Sequence, residues 1–317
     1  MSKSSKNNLS RRKFITTATA GAAVLGVAGS KSASGQPKSV GPRQKRVRWR
    51  FQAQRIEDSF LDGSTLPFFR YVAVGTTRSN GRVPLMQERE NRNVSVSIEN
   101  LVDFPIQPTI LNYATGPVIM PQETGVWDFI MPPEGTWIFT EALLERFASS
   151  AGFAAAVISN PESGATNIRD YFLMYQDADD RWNNAIDNGN VPDESVFEPN
   201  YHTLNGITYP MTLMDNSTRL SCNLGEQVLI RLANLSNIRQ ILHFHGYHVD
   251  ILTRDNKPET TFPEKDTISL EVNSTTEVLL NVTQTGEYPV HPHSLTGTTD
   301  NGLYQGGSVT MIDAQDA

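Results

Sequence analysis

From residue 47 the chain alternates apolar and polar positions: Val47, Trp49, Phe51 and Ala53 against Arg48, Arg50, Gln52 and Gln54. A period of two predicts a strand with one buried face. Residues 93–100 alternate in the same way, as do 127–131 ahead of the turn Pro132-Pro-Glu-Gly135. Residues 137–140 read as extended, 141–150 as the one helix-like stretch, and 152–158 as an apolar closing strand. This predicts an all-β first domain over 47–160. Residues 161–166, rich in Pro, Ser, Gly and Asn, mark a boundary. In the second domain, 161–317, strands are predicted at 171–175, from Met211, and over 227–233, 243–252, 267–272, 276–282 and 308–312, with 177–200 a long polar excursion. Short strands at this spacing suggest a β-sandwich or Greek-key barrel. There is no heptad, no βαβ alternation, no GxGxxG and no P-loop, so nucleotide chemistry has no support.

The first residues look like an address rather than structure. Ser10-Arg-Arg-Lys-Phe-Ile15 precedes a weakly apolar run from Ala18 to Gly29, too short to span a bilayer, and then a small-residue region. Paired arginines, a Phe and such a run resemble a bacterial twin-arginine signal. The expectation is a signal over 1–34, a mature chain starting near Ser34 or Gly35, a linker over 35–46, and a protein periplasmic or secreted, without a stable membrane span. Charge supports the division. Residues 1–50 hold 12 of the 27 Lys/Arg and no Asp/Glu, leaving 15 against all 34 Asp/Glu in the remainder, a net of −19. A body so acidic is a poor nucleic-acid binder and draws cations.

One cysteine, Cys222, excludes an intrachain disulfide, an all-cysteine zinc site, Fe–S clusters and CxxC chemistry; it reads as a small buried hydrophobe. All six histidines lie beyond residue 201. Leu242-His-Phe-His-Gly-Tyr-His-Val249 and Tyr288-Pro-Val-His-Pro-His-Ser-Leu295 each contain His-x-His. On a strand, alternate side chains share a face, so His243 pairs with His245 and His291 with His293. Should the two strands be neighbours, four imidazoles converge, a donor set that leans to copper or zinc. The competing reading is four surface histidines that happen to alternate.

At these motifs the second domain resembles the last cupredoxin domain of the multicopper oxidases, which carries His-Pro-x-His-x-His-Gly and later His-Cys-His-x-x-x-His. Here the segments are Gln240-Ile-Leu-His-Phe-His-Gly246 and His291-Pro-His-Ser-Leu-Thr-Gly297, followed by Gly302-Leu303. Leu204-Asn-Gly-Ile-Thr-Tyr-Pro210 and Gly225-Glu-Gln-Val-Leu-Ile-Arg-Leu-Ala-Asn234 are similar as well. The resemblance spans 165–313 and touches 47–160 through shorter pieces. It implies two tandem cupredoxin-like Greek-key sandwiches and copper, with zinc as the other candidate. It also implies a departure from the family: the positions of the blue-copper ligands are Gln240, Pro292 and Gly297 (Thr298 with a one-residue shift). What remains are His243, His245, His291 and His293, which in the family help hold the trinuclear cluster. The first domain has no histidine to complete it.

The other candidates are weaker. His248 is expected on the opposite side of an extended strand from His245, and His202 in solvent. Asp250 and Asp300 lie near the motifs and could orient imidazoles. Met211, Met214 and Met311 read as core rather than a copper-shuttling cluster. Three readings stand: an exported copper-binding protein without blue copper, a copper oxidoreductase with a type 2/type 3-like histidine site, alone or completed by a partner, and a non-catalytic module with vestigial histidines; a redox or copper-donor protein is the expected kind of partner.

Overall fold

The computed structural model describes residues 47–165, 167–261 and 263–316; the predicted signal and linker lie outside them. Two sandwiches follow one another along the chain. In the first, a four-stranded sheet ordered Thr65–Ala73, Val47–Ser59, Asn93–Asn100, Thr124–Ile130 faces a six-stranded sheet centred on Val83–Arg89, Ala155–Asn160 and Gly135–Glu141. In the second, a seven-stranded sheet built on Arg169–Ala178, Gln227–Asn234, Ser274–Asn281 and Val249–Arg254 faces a five-stranded one. The five run Leu220–Asn223, Thr310–Gln315, Gly286–Pro292, Gln240–Phe244, Thr267–Leu270. Val47–Ser59 pairs parallel with Asn93–Asn100, and Arg169–Ala178 parallel with Gln227–Asn234. A parallel neighbour cannot be reached by a hairpin, so the chain crosses to the facing sheet between them. No helix among the described residues is long and apolar enough to cross a membrane.

The alternation seen in the sequence is the burial pattern: Trp49, Phe51 and Ala53 join Val94, Val96, Ile98, Trp127 and Phe139 in the first core. Leu242, Phe244, Val290 and Ile312 fill the second with Leu232, Val278 and Leu280. A third apolar cluster, Val83, Leu85, Ile138, Ala156 and Ile158 against Phe172, Met174, Ala233 and Leu235, seals the two sandwiches together.

Several expectations fail for identifiable reasons. The stretch 141–150 is helical only over Phe147–Ala151. Glu141 is buried, and its carboxylate accepts the backbone N–H groups of Gln107 (2.8 Å), Leu143 (2.8 Å) and Leu144 (2.6 Å). Those bonds tie residues 142–144 into turns, and Glu145 sits at φ +50°, a conformation no α-helix admits. The polar excursion 177–200 contains a helix, Asp180–Asp187, capped by the Asp179 carboxylate accepting the Arg181 N–H at 3.0 Å. Trp182 and Ile186, one turn apart, bury its inner face, Trp182 edge-on to Phe147 at 4.7 Å. Met211 begins no strand: Met211–Leu213 is a single 3₁₀ turn. The predicted strand 243–252 is two strands, Gln240–Phe244 and Val249–Arg254, in different sheets, with the corner at Gly246 (φ +70°). Tyr288 covers that glycine so closely that a Cβ there would lie 2.2 Å from its ring.

Candidate metal centre

Gln240–Phe244 pairs antiparallel with Gly286–Pro292, placing His243 opposite His291. Leu242, Phe244, Val290 and Pro292 point into the core, so the alternation turns all four motif histidines to the outer face of the five-stranded sheet. His293, just past its strand, is held there by its N–H donating to the Ile241 carbonyl at 2.6 Å. The rings form one group. Centroids are 4.6 Å apart for His243–His245, 5.1 Å for His245–His291, 6.1 Å for His291–His293 and 5.0 Å for His293–His243. His243 and His291 are half-buried, His245 and His293 exposed.

The backbone sets the tautomers. His243 Nδ1 lies 3.2 Å from the Asp266 carbonyl and 3.1 Å from Thr267 Oγ1; His291 Nδ1 lies 2.8 Å from the Pro292 carbonyl. A carbonyl only accepts, so both Nδ1 atoms carry the proton and the lone pair of each ring is on Nε2. The His245 and His291 Nε2 atoms are 2.9 Å apart, with His245 donating and His291 accepting. Burial and the neighbouring imidazoles push the His245 pKa down, keeping it neutral as a ligand must be.

Among the described residues no three His, Cys, Asp or Glu side chains stand arranged to hold a metal ion as placed. The obstacle is small. Two nitrogens at 2.0–2.1 Å from a tetrahedral ion are about 3.3 Å apart, so the His245–His291 contact must open by a few tenths of an ångström and exchange its proton for the metal. In donor type and shared face the four histidines fit a copper ion, and the tautomers of His243 and His291 suit it too.

The remaining candidates fall elsewhere. His248 follows the Gly246 corner, is exposed, and has no ring contact with the four. Asp250 accepts from the Asn281 amide, and Asp300 is bonded to Thr208 Oγ1 and the Gly307 N–H, so neither orients an imidazole. The groups that do hold His243, Asp266 and Thr267, lie more than twenty residues along the chain, just before and at the start of the neighbouring strand, and nothing in the local sequence marks them. Cys222 is buried in the second core as expected. Met211 and Met214 are not core, being 54% and 68% exposed.

His202, expected in solvent, is buried, because the strand Tyr201–Leu204 pairs with the end of Arg169–Ala178 and sets it opposite Asp177. Burial pulls its pKa from 6.5 to about 4, against the smaller opposing effect of a hydrogen bond to the Pro199 backbone. Between those values the unfolded chain binds a proton that the folded chain refuses. Stability therefore falls as pH drops from 6.5 towards 4 and is unaffected above that window. At 1.36 kcal/mol per unit the deficit at pH 5 is about 2 kcal/mol. Asp177 has the opposite sign: burial raises its pKa to about 7, so the His202 contribution is read as a difference between parent and variant. His202→Leu should lose about 2 kcal/mol less than the parent between pH 7 and pH 5 in denaturant unfolding. Equal losses would show that His202 is not held neutral.

Residues 179–307 match the family model described as multicopper oxidase. Comparison with curated proteins finds no match in sequence. Among solved structures, the blue copper oxidase from Nitrosomonas europaea is similar at a TM-score of 0.71 with 21% identity, over 85% of this chain and 86% of that one. The multicopper oxidase mgLAC is similar at a TM-score of 0.72 with 18% identity, over 85% and 86%. A copper-containing nitrite reductase from Thermus scotoductus SA-01 is similar at 0.65 with 16% identity, over 85% and 62%. Residues 179–307 thus match the multicopper oxidase family model, in a chain with the tandem cupredoxin-like fold seen in multicopper oxidases.

Proposed function

We propose that the chain is an exported copper-binding protein whose metal ligands are His243, His245, His291 and His293, and that it has no blue copper centre. The observation that carries this is the convergence of the four imidazoles on one sheet face, two of them with Nδ1 held by carbonyls and the lone pair on Nε2. Copper, when bound there, supplies a Lewis acid and a redox couple. The protein's part is to orient His243 and His291 and to keep the ligands neutral. Export rests on the Ser10-Arg-Arg-Lys-Phe-Ile15 segment and the apolar run behind it.

The positions that resemble the blue-copper ligands support the absence of that centre. Pro292 has no donor atom, and Gly297 lies against it so tightly that a Cβ would stand 2.8 Å from Pro292 Cβ. Gln240 is buried, its amide nitrogen 3.4 Å from Ser236 Oγ. Cys222 lies on Leu220–Asn223, an edge strand two places from Gly286–Pro292, and burial pushes its thiol pKa up to about 11. Intense blue colour comes from a copper–thiolate bond. The copper-loaded protein is therefore expected to be pale; an intense red-end band abolished by Cys222→Ser would overturn the reading. Thr267→Val, which removes one of the two groups on His243 Nδ1, should weaken copper binding by about tenfold, the low end for groups behind a ligand. An unchanged affinity would show that Thr267 does not orient His243.

A second reading, a copper-dependent oxidoreductase, is favoured by the exposure of His245 and His293, which leaves the patch open to substrate or to a partner protein. Sustained oxygen consumption with a reductant, lost in His291→Ala, would select it; activity only with a second exported protein would mean a partner-completed site.

A further inference from the structure

His243 and His291 are held through Nδ1, the first by the Asp266 carbonyl with Thr267 Oγ1 and the second by the Pro292 carbonyl. His245 has no such support. Among the described residues its ring hydrogen-bonds only to His291, through Nε2, and that contact must open for an ion to enter. What fixes His245 is the backbone around it. Its own N–H donates to the Pro289 carbonyl at 3.0 Å. Gly246 follows at φ +70°, where the chain leaves the five-stranded sheet for Val249–Arg254 in the other.

A second connection closes over this corner. Residues 282–285 carry the chain from Ser274–Asn281, in the seven-stranded sheet, to Gly286–Pro292, in the five-stranded one. Gln284 Nε2 donates to the Gly246 carbonyl at 2.6 Å, and the Tyr247 hydroxyl donates back to the Gln284 carbonyl. The Tyr288 ring lies on Gly246, leaves no room for a Cβ there, and meets Tyr247 edge-on at 5.0 Å. The Tyr288 hydroxyl donates to the Thr285 carbonyl at 2.7 Å, which ties the ring to the same connection. Gly246 is thus gripped at its carbonyl, on its open face and through the residue that follows it. The direction in which the chain leaves residue 245 is set there, and with it the place of the imidazole.

We propose that Gln284 and Tyr288 are positioning residues for His245: by clamping Gly246 they hold this ligand beside the other three before any ion arrives. The inference rests on the four histidines being the metal ligands. A ligand fixed beforehand spends no binding free energy on being ordered, and a site whose support is loose by about an ångström loses affinity.

Gln284→Met removes the donor at an exposed position while keeping the length of the side chain. Tyr288→Leu removes the ring, and Tyr288→Phe only the hydroxyl. In the metal-free protein with nitrogen-15-labelled histidine, Gln284→Met and Tyr288→Leu are expected to shift the His245 ring signals and to leave His243 and His291 protonated on Nδ1 as in the parent. Thr267→Val should do the reverse, moving His243 and sparing His245. Copper(II), competed against a chelator near neutral pH, should bind about tenfold more weakly to Gln284→Met and to Tyr288→Leu, with Tyr288→Phe closer to the parent than Tyr288→Leu. If Tyr288→Leu fails to fold, Gln284→Met decides alone. Parent affinity together with parent His245 signals in Gln284→Met would overturn the proposal. Equal disturbance of the His243, His245 and His291 rings would overturn it too, as the mark of general loosening. A parent that binds no copper would overturn the metal reading and this inference with it, whereas a failed clamp leaves the parent's copper binding intact.

Discussion

Replacing His291 with alanine lowers copper(II) affinity about a hundredfold or more, beyond what loss of a group behind a ligand causes, while His202→Ala leaves it essentially unchanged. His291 is the hinge of the four: its Nε2 meets His245 at 2.9 Å, it stands opposite His243 in the ladder, and its Nδ1 proton is fixed on its own strand by the Pro292 carbonyl. Removing it leaves His243 on its strand, His245 just past that strand's end, and His293 beyond the gap. His202 is buried on a strand of the other sheet of the second sandwich, so its loss affects stability and not the metal. Competition against a chelator of known affinity measures both. Small and equal effects from His291→Ala, His243→Ala and His202→Ala would dissolve the shared site.

Asp58→Ala is expected to destabilise the fold by about 3–5 kcal/mol, the cost of leaving a charge buried alone. Asp58 is 6% exposed and is the carboxylate partner of Arg70, itself 4% exposed. The Arg70 guanidinium stacks over Phe68 at 4.3 Å and reaches the Gly206 carbonyl at 3.4 Å, while its Nη1 has no partner. Arg82 shares Asp58 and its backbone N–H donates to the Asn205 carbonyl at 2.9 Å. The cluster thus ties the first sandwich to the 205–206 turn of the second. Arg82 is 47% exposed, so Arg82→Ala should cost under about 1 kcal/mol. Pairing Asp58→Leu with Arg70→Met should recover most of the loss, because it is the orphaned charge and not the missing bond that is expensive. Denaturant unfolding of the three variants checks this; Asp58→Ala no worse than Arg82→Ala would show that Arg70 finds water.

What could be read in the sequence follows from period two. Alternation placed Trp49, Phe51 and Ala53 inward, and the same rule put His243 with His245 and His291 with His293 on one face. The neighbour relation that joins the pairs comes from the ladder, and the groups that orient His243 come from a third strand, so neither is a local property. The helix Asp180–Asp187 was hidden because only Trp182 and Ile186 mark its buried side among polar residues. His202 looked solvated because its burial depends on pairing with Asp177, not on its neighbours in sequence. Met211 and Met214 looked like core because composition says nothing of a turn stitched to a distant strand by Thr212, Thr218 and Thr310.

The most direct test of the central claim is electron paramagnetic resonance of the protein with one equivalent of copper(II), with natural and nitrogen-15-labelled histidine. Coordination by His243, His245, His291 and His293 predicts nitrogen superhyperfine structure that changes with the isotope and vanishes in His243→Ala/His291→Ala, together with the wide copper hyperfine splitting of a site without thiolate. A spectrum unaltered in that double variant, or a narrow splitting lost in Cys222→Ser, would contradict it.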